Sequence, residues 1–129
     1  MSFSLSVAKF AKEAGMEIHA LHQAIVIELF SSVIMDTPVL EGRLRGNWII
    51  TSGEAATGEV EIEDPEGNVT VAKVVEHMGN IPKGDFEVFL ANNLPYAYRI
   101  EFDGWSKKKA PEGMVRKNLV RIISNIEAS

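Results

Sequence analysis

From Ser6 to Met35 apolar side chains recur at helical spacing. Phe10, Ala14, Ile18, Leu21, Ile25, Leu29 and Val33 follow one another at three or four residues, which places them on one stripe of an α-helix. Ala24, Val26, Ile27, Phe30, Ile34 and Met35 fill the other faces of the C-terminal half. That half is therefore expected to be buried on several sides or against another subunit. Gly15 weakens the N-terminal half by about 1 kcal/mol relative to alanine and marks a bend. Asp36-Thr37-Pro38 ends the helix, because proline disfavours helical backbone in the residue before it.

The period then changes. "NWIITSG" (47–53) predicts a short strand, rich in β-branched and aromatic residues and closed by glycine. "GEVEIEDPEGN" (58–68) alternates Val60 and Ile62 with Glu59, Glu61 and Glu63. It fits a half-exposed strand or an extended loop, ended in either case by an Asp64-Pro65-Glu66-Gly67 turn. Val71, Val74, Val75 and Met78 fall at i, i+3, i+4 and i+7, with Thr70 as N-cap and Gly79 at the end, and predict a short helix. "DFEVFLANN" (85–93) predicts a strand, Asn-Asn-Leu-Pro a turn, and "YAYRIEFD" (96–103) a second strand, together an antiparallel hairpin. After the basic loop "WSKKKAPEGM", Met114, Val115, Leu119, Ile122, Ile123 and Ile126 form the apolar face of a last helix, with Pro111 suited to its first turn. There is no repeat and no linker. The expected architecture is one domain over 1–129 of α+β class, its long N-terminal and C-terminal helices packed on a small, mostly antiparallel β-sheet.

Length and composition agree with this picture. A chain of 129 residues, 46% hydrophobic, hides roughly two-thirds of its unfolded surface. It has no cysteine, which removes disulfides, thiolate metal sites and cysteine nucleophiles. The longest apolar run, "AIVIELF", is broken by Glu28 and is far short of a membrane span. The N-terminal stretch lacks a basic region followed by a compact apolar block, so a cytosolic protein, or one assembled there, is expected. The Asn68-Val69-Thr70 acceptor triplet is then accidental. Charge is unevenly spread: residues 1–105 carry 7 basic and 16 acidic side chains (−9), residues 106–129 carry 6 and 2 (+4). Such a basic tail suits contact with an acidic surface, or is a solvated helix face.

Candidate chemistry is sparse. His19 and His22 lie three apart on the first helix, but lack an evident third metal ligand and read as exposed, incidental side chains. The acidic run Glu59 to Glu66 lacks the spacing of a calcium loop and reads as solvated. "GRLRG" follows a helix and has no Gly-Lys-Ser/Thr ending, so it is not a phosphate loop. No Gly-x-Ser-x-Gly elbow is present, and Ser106 and Ser124 have no base at a motif spacing. No enzymatic activity and no cofactor are expected. Lys107, Lys108, Lys109, Arg116, Lys117 and Arg121, with Tyr96, Tyr98 and Trp105 nearby, fit non-specific nucleic-acid contact. The sequence pI of about 5.2 argues against a dedicated binder.

Four motifs stand in order: Thr37-Pro38-Val39; Gly42 to Trp48, "GRLRGNW"; Asn92 and Asn93 with Pro95-Tyr96-Ala97; and Gly104 to Lys107 with Ala110, Pro111, Gly113, Met114 and Val115. Together they resemble the neck and tail-completion (head-tail joining, minor tail component) proteins of long-tailed bacteriophages, over about a third of the chain. Leu40-Glu41 and the Asp103 and triple-lysine surroundings depart from that pattern. The resemblance implies a non-enzymatic virion protein at the capsid-tail junction, a subunit of a homo-oligomeric ring following the sixfold symmetry of the tail. Its implied partners are a tail terminator, a tail tube and a head-closure ring, with possible non-specific contact to genomic DNA and none to a membrane. Candidate interface residues are Arg43, Arg45, Trp48, Asn93, Tyr96, Arg99, Glu101, Trp105, Lys107, Lys108, Lys109 and Arg116. Within this frame Arg43 and Arg45, on a glycine-flanked connector, are expected to reach Glu101 and Asp103 of the same or the next subunit, and Trp105 to anchor the basic loop. The alternative is a small, non-enzymatic nucleic-acid-associated accessory domain with a basic C-terminal segment.

Overall fold

A computed structural model describes residues 2–5, 18–39, 42–81, 87–102 and 114–128. In chain order these form β1 (Ser2–Leu5), α1 (Ile18–Asp36), α2 (Arg43–Gly46), β2 (Ile49–Ser52), α3 (Asn68–Gly79), β3 (Val88–Ala91), α4 (Ala97–Phe102) and α5 (Val115–Ala128). The fold is a small α+β domain, with a three-stranded antiparallel sheet ordered β1-β3-β2. Ser2 lies opposite Ala91 and Leu5 opposite Val88, while Ile49 lies opposite Ala91 and Ser52 opposite Val88. The part of the first-helix expectation over 6–17 lies outside the described residues.

α1 organises the core, as its crowded C-terminal half predicts. Ile25, Val26, Leu29, Phe30, Val33 and Ile34 are all buried, in one cluster with Leu44, Trp48, Val74, Met78, Val88, Leu90, Leu94, Met114 and Ile122. Ala24 and Met35 of the same half are exposed, so the enclosure is incomplete on one side. α3 and α5 pack against α1, and α3 also meets β2. Gln23 Nε2 donates to the carbonyl of Met78 at 2.7 Å, joining α1 to the last turn of α3.

The structure corrects three local expectations and decides a fourth that the alternation leaves open. The segment "YAYRIEF" is α4, not a strand, so β3 has no hairpin partner there and pairs instead with β1 and β2. Ala97 and Glu101, four apart, are both buried, a helical spacing that the β-prone Tyr, Ile and Phe obscure. α3 begins at Asn68 behind Gly67, whose φ of 80° is left-handed. Thr70 sits inside the first turn, and the buried row is Thr70, Val74 and Met78, with Val75 exposed. His22 is buried, not exposed. Finally, Glu54 to Gly67 contains no helix or strand; the extended-loop alternative holds.

Asp64 explains how this irregular stretch is tied down. It is buried, unlike the solvated acid that its neighbours suggest. Its Oδ2 accepts from the N–H and the Oγ1 of Thr70, each at 2.7 Å, supplying an acceptor to α3's otherwise unpaired first-turn donors. Burial pushes the carboxyl up, but the bonds from Thr70 Oγ1 and from the N–H groups of Thr70, Val69 and Gly67 outweigh it, and the pKa falls below its ordinary 3.8. A depressed carboxylate pKa stabilises the fold above the unfolded value and loses that stabilisation as pH falls through the folded one. Asp64→Asn is expected to lower stability by about 1–2 kcal/mol at pH 7. The difference from the parent protein should shrink below about pH 4. Denaturant unfolding at pH 7 and pH 3 checks both statements.

Candidate functional site

The connector between α1 and β2 is a built element. Gly42, with φ 83°, accepts at its carbonyl from Gly46 N (2.9 Å) and Asp64 N (3.0 Å). A Cβ on Gly42 would overlap the backbone at Asp64 and Pro65, and one on Gly46 would overlap the Ile62 carbonyl. The glycines therefore permit the close backbone approach that the sequence suggests, within the chain itself, to the segment 62–65. Between them the single turn of α2 carries both arginines.

The two arginines have different tasks. Arg45 donates from Nη1 to the Pro65 carbonyl (2.6 Å) and from Nη2 to the carbonyls of Met35 (2.8 Å) and Thr37 (2.9 Å). It thus joins the irregular segment to the end of α1, where unpaired carbonyls and the helix dipole favour a cation. Arg43 pairs with Glu59 at 2.9 Å, both side chains being roughly half exposed. Neither arginine's hydrogen-bond partners within the chain include Glu101, so the same-subunit form of that expectation is corrected; Asp103 lies outside the described residues. Surface ion pairs contribute about 0–1 kcal/mol, whereas a charged group bonded to several carbonyls contributes more. Accordingly Arg43→Glu should change stability by less than about 1 kcal/mol and Arg45→Ala should lower it by about 2–3 kcal/mol, as read by chemical denaturation of the two variants side by side.

Side-chain amides supply bonds that the irregular segments lack. Asn47 donates to the Arg43 carbonyl (2.7 Å) and accepts from Val60 N (2.9 Å). Asn92 donates to the Leu44 carbonyl (2.8 Å) and accepts from Leu94 N (3.2 Å). Asn93 donates to the carbonyls of Ala56 and Gly58, each at 3.0 Å. Trp48 is buried, and its Nε1 donates to Thr37 Oγ1 (2.8 Å), which in turn donates to the Val33 carbonyl (2.7 Å). In the sequence Asn47 and Asn92 stand out only as members of motifs and Asp64 only as part of a turn, none with a bonding role of its own. Their signal is that each sits beside a glycine or proline turn whose backbone groups need partners.

Glu101 is a helix cap. Fully buried, its Oε1 accepts from the N–H groups of Met114 and Val115, both at 2.6 Å. Its Oε2 accepts from Arg116 N (3.1 Å) and Arg116 Nε (2.8 Å), and Arg116 Nη2 also reaches the Glu101 carbonyl. A carboxylate at the start of α5 meets both its unpaired donors and the positive end of its dipole.

The described basic residues of the C-terminal segment meet an acidic surface of their own chain. Lys117 lies 3.3 Å from Asp36, and Arg121 3.0 Å from Glu28. Arg121 also bonds Ser32 Oγ, and Asn118 bonds Asp36. Glu28, Ser32 and Asp36 are one row of α1, so the charge asymmetry read in the sequence is partly neutralised between α1 and α5. A surface hollow of about 380 Å³ lies along this seam, lined by Ser31, Ser32, Met35, Asp36, Asn118 and Arg121. Tyr96 packs half-buried against the core and Tyr98 is exposed. Arg99 lies in α4, its side chain outside the described part, as are Trp105, Lys107, Lys108 and Lys109.

Among the described residues no group of three histidines or carboxylates is placed to hold a metal ion, and no helix is long and apolar enough to cross a membrane. No protein-family model matches the chain, no curated protein is detectably similar to it in sequence, and no solved structure matches its fold.

Proposed function

We propose that the protein is a structural subunit of the head-tail junction of a long-tailed bacteriophage, acting in tail completion and head-tail joining as part of a homo-oligomeric ring. The observation that supports this reading is the convergence of the four motifs carrying the resemblance. Thr37 of the first bonds Trp48 of the second. Leu44 of the second bonds Asn92 of the third. Met114 and Val115 of the fourth bond Glu101, in the helix that the third motif's Ala97 opens. Stretches up to about 75 residues apart thus act as one frame, as a shared architecture requires. Partners on this reading are a tail terminator, a tail tube and a head-closure ring.

The nucleic-acid reading draws on the basic segment, yet Arg116, Lys117 and Arg121 each face a carboxylate of the chain, which leaves them less charge to offer phosphate. Electron microscopy of the purified protein tests the proposal. Rings with an open centre, formed without DNA, are expected; isolated particles that associate only on added DNA, and less so at moderate salt, would favour the accessory-domain reading.

A further inference from the structure

Antiparallel ladders alternate between residues that bond their partner and residues whose N–H and C=O point away. Gly53 N donates to the Glu87 carbonyl at 2.9 Å, which makes Gly53 and Glu87 a bonded pair and, two residues on in the register, Thr51 with Phe89 and Ile49 with Ala91. The N–H and C=O of Ile50 and Ser52 therefore point outward from β2, which is an edge strand. No backbone bond joins them to any described residue outside the sheet. The same alternation turns Val88 and Leu90 of β3 toward β1, so that Phe3 and Leu5 bond β3 and the backbone of Ser2 and Ser4 points outward from the opposite edge.

A groove of about 320 Å³ runs beside the β2 edge, lined by Ile49, Ile50, Lys73, Glu76, His77 and Asn80. Ile49 and Ile50 project to opposite faces of the sheet, so a hollow touching both lies at the edge of the strand. Lys73, Glu76 and His77 of α3 and Asn80 at its C-cap form the other wall. His77 Nε2 lies 2.8 Å from Ser52 Oγ, linking the walls at one end. Exposed edges are usually blunted by charge, proline or a bulge. Neither "SFSL" of β1 nor "IITS" of β2 carries a charge or a proline.

We propose that the β2 edge and its groove receive strand β1 of a second copy of this chain, by strand addition. Both edges present outward N–H and C=O groups at two-residue spacing, which fit each other and call for an extended main chain. The opposite charges of Lys73 and Glu76 balance along the groove wall, which suits an uncharged strand such as "SFSL". β1 and β2 are each antiparallel to β3, hence parallel to one another, so copies repeated head to tail bring β1 beside β2 in a parallel pairing. Such a contact joins two different patches, the heterologous kind that forms a ring where the rotation between copies closes and a filament where it does not. The inference rests on the ring reading and supplies its contact surface.

Hydrogen exchange on the assembled wild-type protein, resolved at single amides, is the decisive experiment, run beside native mass measurement of Ser52→Pro, Ser52→Ala and Ser4→Pro. The Ile50 and Ser52 amides should exchange at least about tenfold more slowly in the oligomer than in dilute monomer. Ser52→Pro and Ser4→Pro, each removing an outward N–H that its own sheet does not use, should remain folded by circular dichroism and lose assembly. Ser52→Ala, which removes only the hydroxyl that meets His77, should assemble. An oligomer in which the Ile50 and Ser52 amides still exchange freely overturns the edge contact while leaving the ring reading intact, and the wild-type exchange decides this even if a proline variant misfolds. A protein that stays monomeric at every concentration overturns both.

Discussion

Glu101→Ala is expected to lower unfolding stability by about 3–5 kcal/mol, the range for removing one partner of a buried ion pair. The carboxylate has no exposure to solvent, so its removal opens no route for water to replace it. The N–H groups of Met114 and Val115 lose their acceptor, and each unpaired buried donor costs about 1–3 kcal/mol. Arg116 is about half exposed and can turn to water, which keeps the loss toward the middle of the range. Glu101→Gln should cost less, about 1–3 kcal/mol, because its carbonyl oxygen still accepts from the helix while its NH₂ group opposes Arg116. Thermal melts should show alanine lowering Tm by roughly 10–20 °C and glutamine by less than half of that. Equal losses for the two variants would assign the whole effect to the charge, which both remove, and leave none to the acceptor and volume that glutamine retains.

Trp48→Ala is expected to be of similar size, about 3–5 kcal/mol, for a different reason. The indole is 3% exposed and packs in the cluster formed by α1, α3, β3 and Met114, so truncation leaves a cavity that backbone held by Asn47 and Arg45 is poorly able to close. The indole N–H also completes the chain through Thr37 Oγ1 to the Val33 carbonyl. Trp48→Phe retains most of the ring and loses the donor, for a cost of about 1–2 kcal/mol. Far-UV circular dichroism in urea is the suitable readout, since Trp48 is one of only two tryptophans and its removal changes the fluorescence signal. A truncation that costs no more than the phenylalanine variant would contradict the cavity argument.

Which parts of this molecule were legible depends on where the stabilising partner sits. The periodicity of α1, α3 and α5 and the apolar run at β3 are local signals, and the structure contains those elements. Residues 97–102 misled because Tyr, Ile and Phe favour strands; the turn at Asn92 to Pro95 and the use of Ala97 and Glu101 on one buried face favour a helix instead. Four residues of "SFSL" hold too little pattern to announce β1, whose pairing partner lies more than eighty residues away. Glu101 and Asp64 looked like two more acids in an acidic chain. Their burial follows from helix starts that come into reach only in the folded protein. Arg43 and Arg45 stand out in the connector, but spacing alone gives no means of telling the exposed pair with Glu59 from the three-carbonyl staple of Arg45.

The same distinction matters for assembly. Side chains that the motifs share, Thr37, Arg45, Trp48 and Asn92, are bonded within the chain, so their substitution should affect assembly through stability. Contact surfaces are to be sought where backbone groups have no bond among the described residues, as along the β2 edge. The most direct measurement of the ring-forming reading is the native mass of the purified protein by multi-angle light scattering across concentration and salt. A single closed oligomer at a multiple of 14.2 kDa, sixfold if it matches the symmetry of a tail, is the predicted result. A monomer at every concentration and salt would contradict it.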